Sequence, residues 1–313
     1  MFRAARPRDI IGLIGLAGRP MTDHARPYAR LGRERAPRRP VARVVGAASL
    51  PRRGVTLAFI LPREGAAGAL IVVRGARGGS SWELRHLLVP PDAEDVCGEI
   101  LPQLDAMLRP RRRMNIFLRL AEESRIAQVV SAAGFRGYAH EELYVRPAGE
   151  RMPRGASPDI EVRPLDHAAD FRLFRLYTAW SPVAVRTADG LTLRAWQDSL
   201  ETRWLDVRGT TDLVASVKGQ PVGWARYGDT GSKTVLAHSI AAPSHPNAHE
   251  ALIEAILQAR GSNRTLQFLA PSSDGHAAHA LTARGFHLQG AYRSFACQIG
   301  ERVPEGALAP AGL

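Results

Sequence analysis

The side chains best suited to chemistry fall in the second half of the chain. His238 stands in the apolar run Leu236-Ala-His-Ser-Ile-Ala. An imidazole with its ordinary pKa is the group most able to take a proton from an ammonium near neutrality, and a hydrogen-bonded histidine in a sheet interior is the competing role. Tyr177, Trp180, Arg186 and Trp196, with Trp224 further on, place aromatic surface beside one cation. That combination suits a small organic acceptor carrying a carboxylate, although Tyr177 and Trp196 read better as core packing. His245 and His249 have the i, i+4 spacing of a helical metal pair. No Glu lies between them in the zincin arrangement and no third ligand is evident, so no metal is expected. Cys97 and Cys297 fit neither a disulfide framework nor a zinc cluster, and the expected compartment is a reducing cytoplasm.

These residues sit in a sequence that repeats. Arg6-Pro-Arg-Asp9 is matched by Arg163-Pro-Leu-Asp166 at an offset of 157, and Gly68 by Gly223 at 155. His86 and Pro91 are matched by His238 and Pro243 at 152, and Gly134-Phe135 by Gly285-Phe286 at 151. Matches in the same order at a slowly shrinking offset are what a duplication with small loop deletions leaves. The boundaries predicted are residues 1–147 for one domain, a Pro/Gly/Ala/Ser-rich linker at 148–157, a second domain at 158–300, and a flexible tail at 301–313.

The second copy carries the clearer pattern. Ile160–Pro164 reads as a strand; Phe171, Phe174, Tyr177 and Thr178 recur at helical spacing, and Leu191–Trp204 reads as a second helix. Leu213–Val217 and Val222–Tyr227 flank Gly219-Gln220 as a hairpin, and Thr234–Ala242 continues as a buried strand. A helix at His249–Ala259, a strand at Thr265–Ala270, a helix at His276–Ala283 closed by Gly285, and closing strands at His287–Gln298 follow. This order, with the Arg-Pro-x-Asp start, the turn ending in Gly223-Trp224 and the last helix ending in Gly-Phe, resembles the GNAT superfamily of N-acyltransferases over both copies. The fold class the resemblance implies is α/β (α+β): two tandem GNAT-like domains, each a mixed, mostly antiparallel sheet with helices on both faces.

The resemblance also implies a function. Acyl-CoA lies in this family between the fourth and fifth strands, its pyrophosphate on amides at the start of the next helix, a position that favours anions. In the second copy that places Ile240, Ala242, Ser244, His245, Asn247 and Ala248 as cofactor-binding residues, with acetyl-CoA as co-substrate. Neither glycine of the family loop is present there, since Pro243-Ser-His-Pro-Asn-Ala248 stands in its place. In the first copy Asp92, Glu94 and Asp95 would repel phosphate and read better as an acidic first helical turn. The Tyr that many relatives use to protonate the departing thiolate is replaced by Val130 and Leu281. His238 is then the candidate catalytic base, and Trp180, Arg186 and Trp224 the candidate substrate-binding residues.

The expected activity is transfer of an acetyl or other acyl group from CoA to an amine of a small molecule or peptide, with the chemistry in the C-terminal domain. The alternative is a catalytically inactive tandem binding or scaffolding protein. Partners of other classes find less support. Of the formal charge of +12, the first 53 residues hold +10, thirteen arginines against three acidic residues, which leaves +2 for the rest. That segment lacks interleaved aromatics, and an arginine-rich composition accounts for it better than a nucleic-acid arm. The apolar stretch Ile10–Gly18 is about half the length a bilayer span needs, so no membrane partner is expected.

Overall fold

A computed structural model describes residues 2–6, 9, 21–32, 54–63, 66–91, 93–108, 115–150, 159–165, 170–231, 233–261 and 263–298. The apolar stretch at 10–18, the tail at 301–313, Asp92 and linker residues 151–157 lie outside them. The N-terminal half contains β1 (Arg3–Ala4), β2 (Thr22–Asp23), β3 (Val55–Arg63), β4 (Ala66–Gly75), β5 (Ser81–Val89), α1 (Val96–Leu108), β6 (Asn115–Ala121), α2 (Ala127–Ala132) and β7 (Arg136–Arg146). The C-terminal half contains β8 (Glu161–Pro164), α3 (Asp170–Trp180), α4 (Val183–Asp189), α5 (Leu193–Trp204), β9 (Arg208–Val217), β10 (Gln220–Asp229), β11 (Thr234–Ala241), α6 (Asn247–Arg260), β12 (Thr265–Pro271), α7 (Gly275–Ala283) and β13 (His287–Gln298). The two helices expected before β9 are three, and the closing strands are one continuous strand.

All the strands join in one mixed, mostly antiparallel sheet, with helices on both faces. On one face of the N-terminal half, α1 and α2 bury Ile100, Leu104 and Val130 against Phe59, Ile71 and Trp82. In the C-terminal half α6 and α7 bury Leu252, Ile256 and Leu281 against Val235 and Phe268. The opposite face of that half is covered by α3 and α5, whose Tyr177, Trp196 and Trp204 pack on Trp224 and Leu236. At α6 the helix approaches the sheet so closely that a Cβ on Gly223 would lie 3.0 Å from the Ala248 Cβ.

The two halves exchange their last strands. The central order is β5-β6-β13-β7-β12-β11. Thus β13, the end of the C-terminal half, pairs with β6, and β7, the end of the N-terminal half, pairs with β12. At the crossing Tyr292 lies opposite Glu141. These residues are 151 apart, the offset that separates Gly134-Phe135 from Gly285-Phe286. A residue paired with its own repeat equivalent marks a pseudo-twofold axis, which passes between β7 and β13.

Candidate active site

Each half has a pair of parallel strands that part after a few residues. In the N-terminal half β5 and β6 pair from Ser81↔Asn115 to Glu83↔Phe117. In the C-terminal half β11 and β12 pair from Thr234↔Thr265 to Ala237↔Phe268. Beyond those points the two strands of each pair no longer bond to each other and enclose a wedge. The two wedges differ in what fills them.

The N-terminal wedge is filled by the chain itself. β2 pairs antiparallel with the free end of β5, Thr22↔Val89 and Asp23↔Leu88. His24 N–H donates to Leu87 O at 3.0 Å, and two residues on Arg26 N–H donates to Arg119 O of β6 at 2.8 Å. The segment therefore bonds both edges of the gap. Asp23 anchors it: the buried carboxylate accepts from Leu87 N–H at 3.1 Å and Ala25 N–H at 3.3 Å, and it contacts His86 Nδ1 at 2.7 Å and the Arg30 guanidinium. Burial by itself would raise the Asp23 pKa, but His86 and Arg30 hold it well below the usual carboxylate range. His86, the repeat partner of His238, is occupied in this anchor, and burial lowers its pKa.

The C-terminal wedge opens into a cavity of about 540 Å³. Ala242 N–H donates to Val222 O on β10. Because peptide groups alternate sides along a strand, those of Ala241 and Ser239 face the other way, into the wedge. The cavity then widens under α3, α4 and α5, where Trp180, Trp196 and Trp224 form aromatic walls. His238 lies in this wall, its ring centroid 4.7 Å from Trp224 in an edge contact and 5.4 Å from Trp204. Burial, then the charges of Arg226, Arg203 and Arg119, lowers its pKa to about 3. The imidazole is therefore neutral at physiological pH, without the intrinsic pKa that recommended it as a base, and its Nε2 has no hydrogen-bond partner.

The carboxylates of the floor, Asp189 and Glu141, are each paired with an arginine. The Tyr177 hydroxyl and the Arg203 guanidinium both donate to Asp189 Oδ2 at 2.7 Å. Arg119 donates from Nε to Glu141 Oε2 at 2.8 Å and lies 4.4 Å over the Tyr28 ring. Burial raises the pKa of Tyr138 and Tyr177, so both phenols keep their protons. Tyr28, Tyr138 and Glu141 belong to the N-terminal half, so the site in the C-terminal half is completed across the exchanged strand β7.

On the wall formed by α6 and α7, three polar side chains link in series. Ser239 Oγ lies 2.8 Å from His249 Nδ1, and His249 Nε2 lies 3.1 Å from Asp274 Oδ2. The other Asp274 oxygen caps α7 by accepting from Ala277 N–H at 3.0 Å. Ser239, His249 and Asp274 all border the cavity.

Of the residues the sequence singled out, His238, Ile240, Ala242, Trp180 and Trp224 line this cavity. On the turn before α6, the exposed Ser244 and the half-buried His245 bond each other at 2.9 Å. Asn247 opens the helix, and Ala248 is buried under it against Gly223. Arg186 on α4 is not among the lining residues; the cation that lines the cavity is Arg203 of α5. His245 and His249 take different partners, and among the described residues no three His, Cys, Asp or Glu side chains gather as a metal site. Ser239, Asp274, Asp189, Glu141 and Tyr138 were not foreseen. The only available signal was the polar Ser239 within an apolar strand.

Among the described residues no helix is long and apolar enough to cross a membrane. The chain matches no family model and no curated protein. Among solved structures it is similar to a tandem GNAT protein from the clavulanic acid biosynthesis pathway, with a TM-score of 0.53 and 13% identity over 96% of this chain and 99% of that one. It is also similar to a GCN5-related N-acetyltransferase from Sphaerobacter thermophilus, with a TM-score of 0.54 and 18% identity over 96% of each chain. A GCN5-related N-acetyltransferase from Kribbella flavida gives a TM-score of 0.50 and 13% identity over 83% of this chain and 96% of that one. At such identities the likeness is one of architecture, and the chain has the tandem GNAT fold.

Proposed function

We propose that the protein transfers an acyl group, most simply acetyl, from coenzyme A to an amine of a small molecule or peptide, with the chemistry in the C-terminal half. One observation carries this reading: the C-terminal wedge is open, presents the peptide groups of Ser239 and Ala241, and ends in an aromatic cavity, whereas the N-terminal wedge is filled by Thr22–Arg26. The fit to acyl-CoA divides along the wedge. The inner edge offers amide partners for a pantetheine arm. The outer turn is poorer in donors, because Pro243 and Pro246 lack an N–H; Ser244 and Asn247 remain to meet the pyrophosphate beside Ile240, Ala242, His245 and the α6 terminus.

Bound there, acyl-CoA would supply an activated thioester carbonyl. The chain's part is positioning and polarisation: a β11 N–H faces the carbonyl oxygen, and Trp180 and Trp224 bound the space for the acceptor. His238, kept neutral by burial with its Nε2 out of reach of solvent, is assigned to shape the wall of the acceptor space rather than to store the amine's proton. The boundary at 148–157 is retained as the covalent division between the domains, with β7 seated beyond it. The second reading, an inactive binding or scaffolding protein, is favoured by the two prolines in the outer turn.

Isothermal titration of acetyl-CoA into the full chain decides between them. Saturable binding at one site per chain supports the transferase, and absence of heat at millimolar ligand leaves the scaffold.

A further inference from the structure

The wall that borders the wedge on the α6–α7 side has a chemistry of its own. Asp274 is fixed by two bonds, one to Ala277 N–H and one to His249 Nε2. Burial alone would raise its pKa, but the bond to His249 heads the influences that lower it, so the group is a carboxylate. A carboxylate at Nε2 sets the tautomer: Nε2 carries the hydrogen and Nδ1 presents its lone pair. The group facing Nδ1, at 2.8 Å, is the hydroxyl of Ser239. Hydroxyl, imidazole and carboxylate thus stand in the order that activates a serine, with the two ring nitrogens interchanged relative to the serine-protease arrangement; roles and distances define such a relay, not which nitrogen faces which partner. The residue bearing the hydroxyl also turns its own peptide N–H into the wedge, where an acyl oxygen would lie.

We propose that Ser239, His249 and Asp274 form a nucleophilic relay that gives the protein a second activity, hydrolysis of activated acyl esters and thioesters through an acyl-serine. In the first step Ser239 Oγ bonds to the acyl carbon while its proton passes to His249 Nδ1. The carbon–sulfur or carbon–oxygen bond to the leaving group breaks, and the leaving group takes that proton as it departs. In the second step a water gives one proton to His249, its oxygen bonds to the acyl carbon, and Ser239 Oγ leaves and recovers the proton. The products are the free acid and the thiol or alcohol, and no further reactant is required. Asp274 is a positioning residue that holds the imidazole and offsets its transient charge. Ser239 and His249 are buried, and the exposed turn at Ser272 and Ser273, next to Asp274, is the side from which the second step draws its water.

The inference rests on the acyltransferase reading only in its choice of a thioester, and the test separates the two. The full-length protein is mixed with p-nitrophenyl acetate and, separately, with acetyl-CoA; nitrophenolate is followed in time, and the acylated residue is mapped by peptide mass. The expected result is a burst of about one equivalent and an acetyl group on the Ser239 peptide. Ser239→Ala abolishes both, and His249→Ala slows the burst by at least about 100-fold. Asp274→Asn slows the burst while leaving its amplitude unchanged, which a loss of fold would not do. Acylation at other residues, or equal bursts from the wild type and Ser239→Ala, overturns the proposal. If acetyl-CoA binds in titration yet neither donor acylates Ser239, the relay falls and the transferase reading stands. A burst with the ester but no binding of acetyl-CoA does the reverse.

Discussion

Replacement of Asp23 by alanine tests whether the segment that fills the N-terminal wedge is part of the fold or a loosely laid strand. The carboxylate is 1% exposed and faces the Arg30 guanidinium, which is itself mostly buried. Removing one partner of a buried ion pair costs about 3–5 kcal/mol, because the remaining charge is left in a poor solvent. Leu87 N–H and Ala25 N–H lose an acceptor in the same change, about 1–3 kcal/mol for each group that stays dry. These losses overlap, since water enters the vacated volume, so the expected total is about 4 kcal/mol, a large part of the 5–15 kcal/mol typical of a folded domain. Asp23→Asn keeps the shape and one acceptor and loses only the charge, so about half that loss is expected. The assay is urea unfolding at neutral pH, read as a shift in midpoint at constant slope. A pH series adds a sign. The Asp23 pKa in the folded protein lies below the ordinary 3.8, so its stabilisation is complete above about pH 4 and is lost as pH falls through the folded value. The asparagine variant therefore shows a shallower acid loss than the wild type. An alanine variant within about 1 kcal/mol of the wild type would refute the anchoring role.

Three other consequences follow from the packing. His238, with its pKa lowered to about 3, keeps flat ring NMR shifts from pH 8 to about pH 4.5; through this group stability drops by roughly 1.4 kcal/mol per pH unit between about 6.5 and about 3, where the unfolded chain binds a proton that the native one refuses. In Gly223→Ala the new methyl group meets the Ala248 Cβ at 3.0 Å and Leu252 Cδ1 at 3.1 Å, so α6 shifts outward, stability falls by about 1–3 kcal/mol, and acetyl-CoA affinity measured by titration drops several-fold; wild-type values for both would show that α6 does not depend on this contact. A fragment of residues 156–313 lacks β7, leaving the edges of β12 and β13 bare, so size-exclusion chromatography finds it dimeric or aggregated; a cooperatively folding monomer would contradict the strand exchange.

Much of the architecture was legible because its signals are local. Leu252, Ile253, Ile256 and Leu257 repeat at helical spacing and pack as one face of α6, and Gly285 ends α7 where the periodicity stops. The shrinking offset between paired landmarks found the duplication, and Glu141 opposite Tyr292 expresses it in space. The exchange of β7 and β13 left no such trace, since alternation along a strand states which face is buried but not which strand lies beside it. Of the residues the sequence singled out, His238 and Ile240 on β11 and Trp180 on α3 come to line the cavity. Burial, which removes the basicity of His238, comes from Trp204 and Trp224, 34 and 14 residues away. Arg186 drew notice by standing near Trp180, yet the cavity cation is Arg203, 17 residues further on. Asp274 looked like nothing more than the residue before a helix, because its partner His249 is 25 residues upstream.

The asymmetry between the halves has a simple energetic logic. When two parallel strands part, the peptide groups on their inner edges lose their ladder, and each one left dry costs about 1–3 kcal/mol. The N-terminal half satisfies them with chain, through Thr22–Arg26. At an offset of about 156 the matching stretch in the C-terminal half is Thr178–Pro182, which is not extended: it ends α3 and turns into α4, placing Trp180 and Pro182 in the cavity wall. Those residues are committed to the aromatic packing of Tyr177, Trp196 and Trp224, so they cannot reach the wedge, and Ser239 and Ala241 keep their peptide groups for water or for a guest. The filled wedge shows which guest fits the open one: an extended, amide-bearing chain running along the fourth strand of its half and reaching across to the fifth, as Asp23 to Arg26 does between β5 and β6. A pantetheine arm has two such amides, and a short peptide has the same groups at closer spacing. Competition between acetyl-CoA and a peptide of the sequence Thr22–Arg26 for the C-terminal wedge would therefore register as a weakened acetyl-CoA affinity, and independent binding of the two would separate the chemistry of the two wedges.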